Sequence, residues 1–303
     1  LAEMWSALPL LALRPATMVG HAQWGRLYNF SDAFLYQNRV PAQRLLDAAR
    51  LWSLASWSLL LALAVCAWAA RLGGPPAAVF AGALLAFCPA LFSNAALVTT
   101  DMAAAVFFFA ACWLLSNPER TMRVWAGAGL AAGLALGSKF SMIALPPVLA
   151  AVALSDRRAY RGALPARGML LALGCAALAI AALYRFHPGL WWEGLSATLS
   201  RLGEGRASFM AGRHSTTGSI WYFPLALFLK TPLALLSLSG LGLWHWLRKP
   251  GRELLWCVLP PAAYFAAACL SKTQIGYRHI LPIYPFLVLA AAWGGFLILN
   301  AFW

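Results

Sequence analysis

Few side chains in this sequence can do polar chemistry, and their positions are not random. The chain holds nine carboxylates against 23 Lys and Arg. One of the nine, Asp101, stands directly in front of an apolar run in L-V-T-T-D-M-A-A-A-V-F-F-F-A-A-C-W-L-L. A carboxylate at the mouth of a membrane helix is costly unless it has a partner or a task. Cations recur near the ends of other apolar runs on the same expected face of a membrane: Lys139, Arg185, Arg213, Lys230, Lys272 and Arg278. One acid among such cations has the chemistry of a site for an anionic substrate, the carboxylate taking a proton from a nucleophile and the cations holding the anion. Tyr277 and His279 flank Arg278 in G-Y-R-H-I-L-P-I-Y-P-F-L and offer phosphate two further donors of different reach.

Each residue also has a plainer explanation. T-T-D supplies N-cap chemistry for a helix expected to begin at Met102, and capping is compatible with accepting a proton. Outer cations snorkel to the interface, and Tyr277 with Arg278 is ordinary interfacial anchoring. Lys230 is harder to dismiss, because it falls well inside the apolar run that starts at Trp221.

The elements that must position these residues follow from composition. With 62% apolar and 11% charged residues and a mean hydropathy of +0.71, the chain is out of range for a soluble domain. An all-α, polytopic bundle of about nine transmembrane helices is expected, as one domain over 1–303. The apolar runs lie near 51–70, 77–93, 102–115, 124–136, 140–154, 169–183, 221–246, 254–270 and 280–302. Several are shorter than the roughly 20 residues that cross hydrocarbon unaided, so the third to fifth are expected to be tilted or to start in the headgroup layer.

Arg71, then Arg120 and Arg123, then Arg157, Arg158, Arg161 and Arg167, then Arg248, Lys249 and Arg252 fall in every second connection. The positive-inside rule makes those connections cytoplasmic and puts Asp101, Lys139, Lys272 and Arg278 outside. The net charge of +14 is then partly topology and partly an anion site. Nucleic-acid binding is excluded, since no solvated basic domain exists to carry it.

Two outer segments look like more than linkers. Residues 1–50 carry Trp5, Trp24, Tyr28 and Tyr36, the aromatic chemistry of a membrane interface. Residues 185–220 contain an amphipathic stripe of Trp191, Leu195, Leu199 and Leu202, expected to lie in the membrane plane. A Gly-rich stretch with Arg206, Arg213 and His214 follows it, either a lid or a solvated connector. The six cysteines sit in apolar segments without C-x-x-C spacing, so they read as small core residues. His21, His187 and His214 fit no metal spacing, and His245 reads as structural.

Four strings carry a resemblance: L-V-T-T-D-M at 97–102, G-L-A-L-G-S-K-F-S at 133–141, L-A-L-F-L-K-T-P-L at 225–233 and G-Y-R-H-I-L-P-I-Y-P-F-L at 276–287. In this order and spacing the chain resembles the bacterial members of glycosyltransferase family 39. These are phospholipid-carrier-dependent enzymes of the GT-C superfamily, akin to protein O-mannosyltransferases and the lipid A aminoarabinose transferase. The resemblance implies transfer of a sugar from a polyprenyl-phosphate donor to a lipid, glycan or protein acceptor. It places that transfer at the outer face of the bacterial cytoplasmic membrane, among membrane lipids.

Asp101 matches one of two acids that flank the family's catalytic cavity. The phosphate ligands expected are Lys139, Lys230 and Arg278, then Lys272 and Arg213, with Tyr277 and His279 beside them; a divalent metal ion is a possible aid, with no ligands named. The other acid belongs to a first outer loop that precedes the segment matching L-A-E-M-W-S-A-L-P-L-L-A-L, which here starts at Leu1, and Glu3 does not sit in that motif. The expectation is therefore an N-terminally shortened chain, inactive alone. A transporter or flippase for an anionic substrate is the alternative, but it predicts internal symmetry and charges through both halves of the spans. Neither is visible. A purely structural membrane subunit leaves Lys230 and Asp101 without a task.

Overall fold

The computed structural model describes residues 1–156 and 166–301. Three short helices, Ala2–Ser6 (α1), Leu10–Leu13 (α2) and Leu27–Tyr36 (α3), open the chain. Trp5 fastens α1 to the bundle: its Nε1 donates to Ser56 Oγ at 2.8 Å, and its ring lies 5.6 Å from Trp52 and 5.9 Å from Trp57. Trp24, Tyr28 and Tyr36 remain exposed.

Adjacent glycines arrange the first two apolar runs. Ala42–Ala86 (α4) is broken at Gly73 and Gly74. Gly74 takes φ +70°, a conformation side chains disfavour. Pro75 and Pro76 restart the helix behind it, which proline tolerates in a first turn. The two arms fold back on each other, bringing Cys66 Sγ within 3.3 Å of the place a Cβ on Gly82 would take. The second arm stops at Ala86, short of the expected end, because Pro89 opens a separate helix, Pro89–Ala95 (α5).

Thr100–Leu115 (α6) is buried along almost its whole length. Met122–Ser138 (α7) runs back antiparallel to it, and a 3₁₀ turn, Phe140–Ala144, leads into Leu145–Ser155 (α8). Ala166–Leu183 (α9) lies parallel to α7 at very short range. A Cβ on Gly129 or Gly133 would stand 2.2 or 2.5 Å from the carbonyl oxygens of Ala172 and Ala176, so glycine alone permits this approach, as in membrane helix pairs generally. The outer side of α9, with Leu170, Leu173 and Leu178, is exposed, as a lipid-facing surface is.

Pro188–Glu204 (α10) follows, then a small antiparallel hairpin of Ser208–Met210 (β1) and Arg213–Ser215 (β2). Leu195 of the expected amphipathic stripe is buried, whereas Leu199 is exposed. The single run expected from Trp221 is two helices, Tyr222–Lys230 (α11) and Leu233–Arg248 (α12), bent by 115°. Thr231 is extended, φ −100° and ψ 133°, because a residue before proline avoids the helical region. Lys230 is therefore the exposed last residue of α11 and not a charge inside a span.

A π-turn, Leu254–Val258, precedes Leu259–Leu270 (α13), and a 3₁₀ turn, Tyr277–Ile283, precedes Tyr284–Ala301 (α14). α14 is the central post. Phe286 meets Phe108, Phe109 and Trp68 at ring distances of 5.2, 5.0 and 6.1 Å.

The architecture is a polytopic membrane helix bundle. Ala42–Ala86, Ala166–Leu183 and Tyr277–Ala301 are long and apolar enough to cross a membrane, and the bent α11–α12 pair qualifies taken together. Thr100–Leu115, Phe140–Ser155 and Leu254–Leu270 are shorter apolar helices. The bundle has two chemically different ends. Asp101, Lys139 and Tyr277 stand where α6 and the final 3₁₀ turn begin and α7 ends, while Arg71, Arg120, Asp156 and Arg252 gather where α6 ends. The 16 residues of α6 separate these ends by about 24 Å. Arg157, Arg158 and Arg161 lie outside the described residues.

Candidate functional site

Asp101 is not the cap of its helix. Helix α6 starts one residue earlier, at Thr100, with Thr99 extended at the N-cap and making no side-chain capping bond. Asp101 sits in the first turn, where the helix dipole favours an anion, and its carboxylate is taken by another group. Lys139 Nζ donates to Asp101 Oδ1 at 2.6 Å. The side chains are 13% and 7% exposed, so the pair is largely out of water and each charge depends on the other. Lys139 reaches this point because α7 ends at Ser138 and the backbone turns extended at Lys139, φ −150° and ψ 121°. The glycine-mediated contact of α7 with α9 fixes where that turn falls.

A second group forms around Tyr277. Its phenol oxygen accepts from Asn94 Nδ2 at 3.2 Å and lies 3.4 Å from Ser93 Oγ, both on α5. Lys230 Nζ stands 5.0 Å from the centre of the Tyr277 ring, a cation–π contact. Seven residues on, Tyr284 Oη and Thr231 Oγ1 are 3.0 Å apart, which holds the α11–α12 bend against the start of α14. The break in the apolar run thus places Lys230 beside Tyr277.

His279 joins the two groups. It lies within electrostatic reach of Asp101, Lys139 and Arg278. Its carbonyl accepts from Tyr264 Oη at 2.8 Å, and its buried Nε2 has no hydrogen-bond partner among the described residues. Arg278 is exposed beside it. Asp101, Lys139, His279, Arg278, Tyr277 and Lys230 are therefore gathered around one short segment of chain.

Lys272 and Arg213 are placed differently. Lys272 is on the loop before this segment, where its carbonyl accepts from Arg206 N at 3.4 Å. Arg213 is exposed on β2, opposite Met210. Arg185, after the end of α9, is exposed.

The Gly-rich stretch is fastened to the Lys272 loop by Gln274, which is 1% exposed. Gln274 Oε1 accepts from Ser219 N at 2.8 Å, while Nε2 donates to Ser219 O at 2.8 Å and Ser271 O at 3.1 Å. Sequence reasoning passed over Gln274 and Asn94. Asn94 is a polar residue in an otherwise apolar stretch, the one signal that could have marked it.

An apolar groove of about 380 Å³ opens between the arms of α4, with Leu54, Ser58, Leu61, Leu85 and Phe92 in its walls. Met102, one residue after Asp101, is also in its walls, which puts the groove at the same end of α6 as the carboxylate. Among the described residues no three His, Cys, Asp or Glu side chains gather to hold a metal ion.

This arrangement can be set beside known proteins. The family model of dolichyl-phosphate-mannose-protein mannosyltransferase matches residues 45–184. ArnT from Cupriavidus metallidurans in the apo state shares the fold, with a TM-score of 0.59 and 24% identity over 84% of this chain and 48% of that one. The same protein bound to undecaprenyl phosphate gives a TM-score of 0.60 and 23% identity over 84% of this chain and 49% of that one. No curated protein matches. The chain thus spans about half the length of the solved structures it resembles. The resemblance carried by the sequence strings is borne out: residues 45–184 match the model of the dolichyl-phosphate-mannose-protein mannosyltransferase family, in a chain with the membrane fold of ArnT.

Proposed function

We propose that this chain is the membrane core of a glycosyltransferase that moves a sugar from a polyprenyl-phosphate-linked donor to an acceptor at the outer face of the bacterial cytoplasmic membrane. The observation that carries the reading is the buried Asp101–Lys139 pair, with His279 within electrostatic reach of it and of Arg278 and an apolar groove at the same end of α6. The family match and the undecaprenyl phosphate bound to the ArnT neighbour support it. The gathering of arginines at the far end of α6 supports the orientation.

The chemistry asks the protein to hold a phosphate, present the anomeric carbon and remove one proton. An isoprenoid tail fits the groove beside Met102, which brings the donor phosphate to the Lys139 ammonium. Lys139 then has two anions to serve, and its share in Asp101 falls. The carboxylate so released orients the acceptor hydroxyl and takes its proton as the acceptor oxygen bonds to the anomeric carbon. The carbon–oxygen bond to phosphate breaks, the bonding pair leaves with the polyprenyl phosphate, and Lys139, Arg278 and Lys230 neutralise that charge. In this scheme Tyr277 keeps Lys230 in place, and His279 Nε2 is a further polar atom at the same point.

The test is transfer from a labelled polyprenyl-phosphate sugar, in membranes carrying the gene's full reading frame. Asp101→Asn is expected to lower turnover by about 10²–10⁴, the contribution of a positioned proton acceptor. Asp101→Glu keeps the charge opposite Lys139, and so the fold, while displacing the carboxylate by one methylene; it is expected to lower kcat with little change in thermal midpoint. Wild-type turnover by both variants would remove Asp101 from the chemistry.

A further inference from the structure

The other end of α6 holds an arrangement that sugar transfer does not use. Arg120 and Arg252 both bond Asp156 Oδ2, at 2.5 and 2.8 Å, and Trp256 Nε1 donates to the same oxygen at 2.9 Å. Arg252 also donates to the carbonyls of Ser116 and Asn117, at 3.0 and 3.2 Å. Arg71, from the turn between the arms of α4, bonds Ser116 Oγ and lies 5.8 Å from the Trp68 ring centre. Two connections far apart in sequence therefore deliver Arg71 and Arg252 to one backbone turn, Ser116–Asn117, whose own connection carries Arg120. Arginines placed only to satisfy the positive-inside rule need reach no common point.

Between them is a cavity of about 210 Å³ whose walls include Trp68, Arg71, Ser116, Arg252, Glu253 and Trp256. Among the described residues Arg71 forms no salt bridge with a carboxylate, which leaves its positive charge in a partly dehydrated place. Arg71 lines the cavity with its Nη2 engaged, whereas its Nε and Nη1 make no hydrogen bond among the described residues. Planar guanidinium donors in a fork suit phosphate oxygens. Basic pockets between membrane helices, rimmed by tryptophan, are where anionic headgroups lodge.

The geometry points to a second anion site in this cavity, for a phosphate group held by Arg71 and Arg252. Its source is the headgroup of an anionic phospholipid or free phosphate, and occupancy ties together the turn of α4, the end of α6 and the π-turn before α13. The site is independent of the transfer reaction and lies at the opposite end of α6.

The experiment is thermal unfolding of the protein, purified in neutral detergent, followed by tryptophan fluorescence. It is titrated separately with phosphatidylglycerol, phosphatidylcholine and inorganic phosphate. Phosphatidylglycerol is expected to raise the midpoint saturably and phosphatidylcholine to leave it unchanged. A matching rise with inorganic phosphate would identify free phosphate as sufficient, and a rise with the lipid alone would assign the headgroup. Arg71→Gln is expected to weaken the effective affinity about tenfold or more, the loss of a charge-assisted contact. Arg71→Lys keeps the charge without the fork and is expected to fall between wild type and Arg71→Gln. Arg123→Gln removes an exposed arginine outside the cluster and is expected to change nothing. No saturable rise with either anion, or equal weakening by Arg71→Gln and Arg123→Gln, overturns the site.

Discussion

At the scale of single residues, the buried Asp101–Lys139 pair sets the electrostatics of the candidate site. A charge left alone in a largely buried position costs about 3–5 kcal/mol, and the slight exposure of Lys139 argues for the lower end. Lys139→Met and Asp101→Asn are each expected to lower stability by about 3 kcal/mol, while the double variant recovers at least about 1 kcal/mol of the summed loss. The cycle is read from denaturant unfolding in detergent, and strict additivity would show that the two charges are independently solvated. Both residues were legible in the sequence as a rare acid and an out-of-place cation, but their pairing was not. They are 38 positions apart, and nothing local connects them. Asp156 was overlooked altogether, because S-D-R-R-A-Y-R reads as a solvated basic loop, whereas Asp156 is 1% exposed and bonded by two arginines.

At the scale of elements, glycine and proline decide where the side chains of the candidate site stand. Lys139 is delivered by the end of α7, and α7 is held to α9 at Gly129 and Gly133 by near contact with backbone. Gly133→Val is expected to force the helices apart, with an overpacking loss of about 1–3 kcal/mol and lower transfer through displacement of Lys139. Gly174→Ala on α9 is the comparison, since a Cβ there meets nothing within 4 Å and helix propensity rises by up to about 1 kcal/mol. Equal thermal midpoints for the two variants would sink the close-packing argument. The helices themselves were readable from apolar runs, because burial in lipid demands long apolar stretches whatever the tertiary fold. Hydropathy could not show the bend at Thr231. It averages over K-T-P, although the proline alone carries the signal, and so Lys230 was read as a buried span charge when it is a helix end over Tyr277.

At the scale of the whole molecule, the two ends of the bundle have opposite work. One end gathers a carboxylate and cations around 277–279 and holds an apolar groove; the other fastens three connections with arginines around Asp156. The proposed orientation puts the first end outside and the second in the cytoplasm, and two exposed positions report on it directly. Arg213 lies on the hairpin tied through Gln274 to the loop before Tyr277, and Lys249 follows α12 next to Arg252. With Cys66 and Cys175, the two cysteines that are not buried, replaced by alanine, Arg213→Cys is expected to react with a membrane-impermeant maleimide on intact cells. Lys249→Cys is expected to react only after the cells are opened. Labelling of Lys249→Cys alone on intact cells would invert the orientation and place the Asp101 end inside. Labelling of both variants would contradict the bundle itself, because the continuous helices between those ends leave no path for both to face one side.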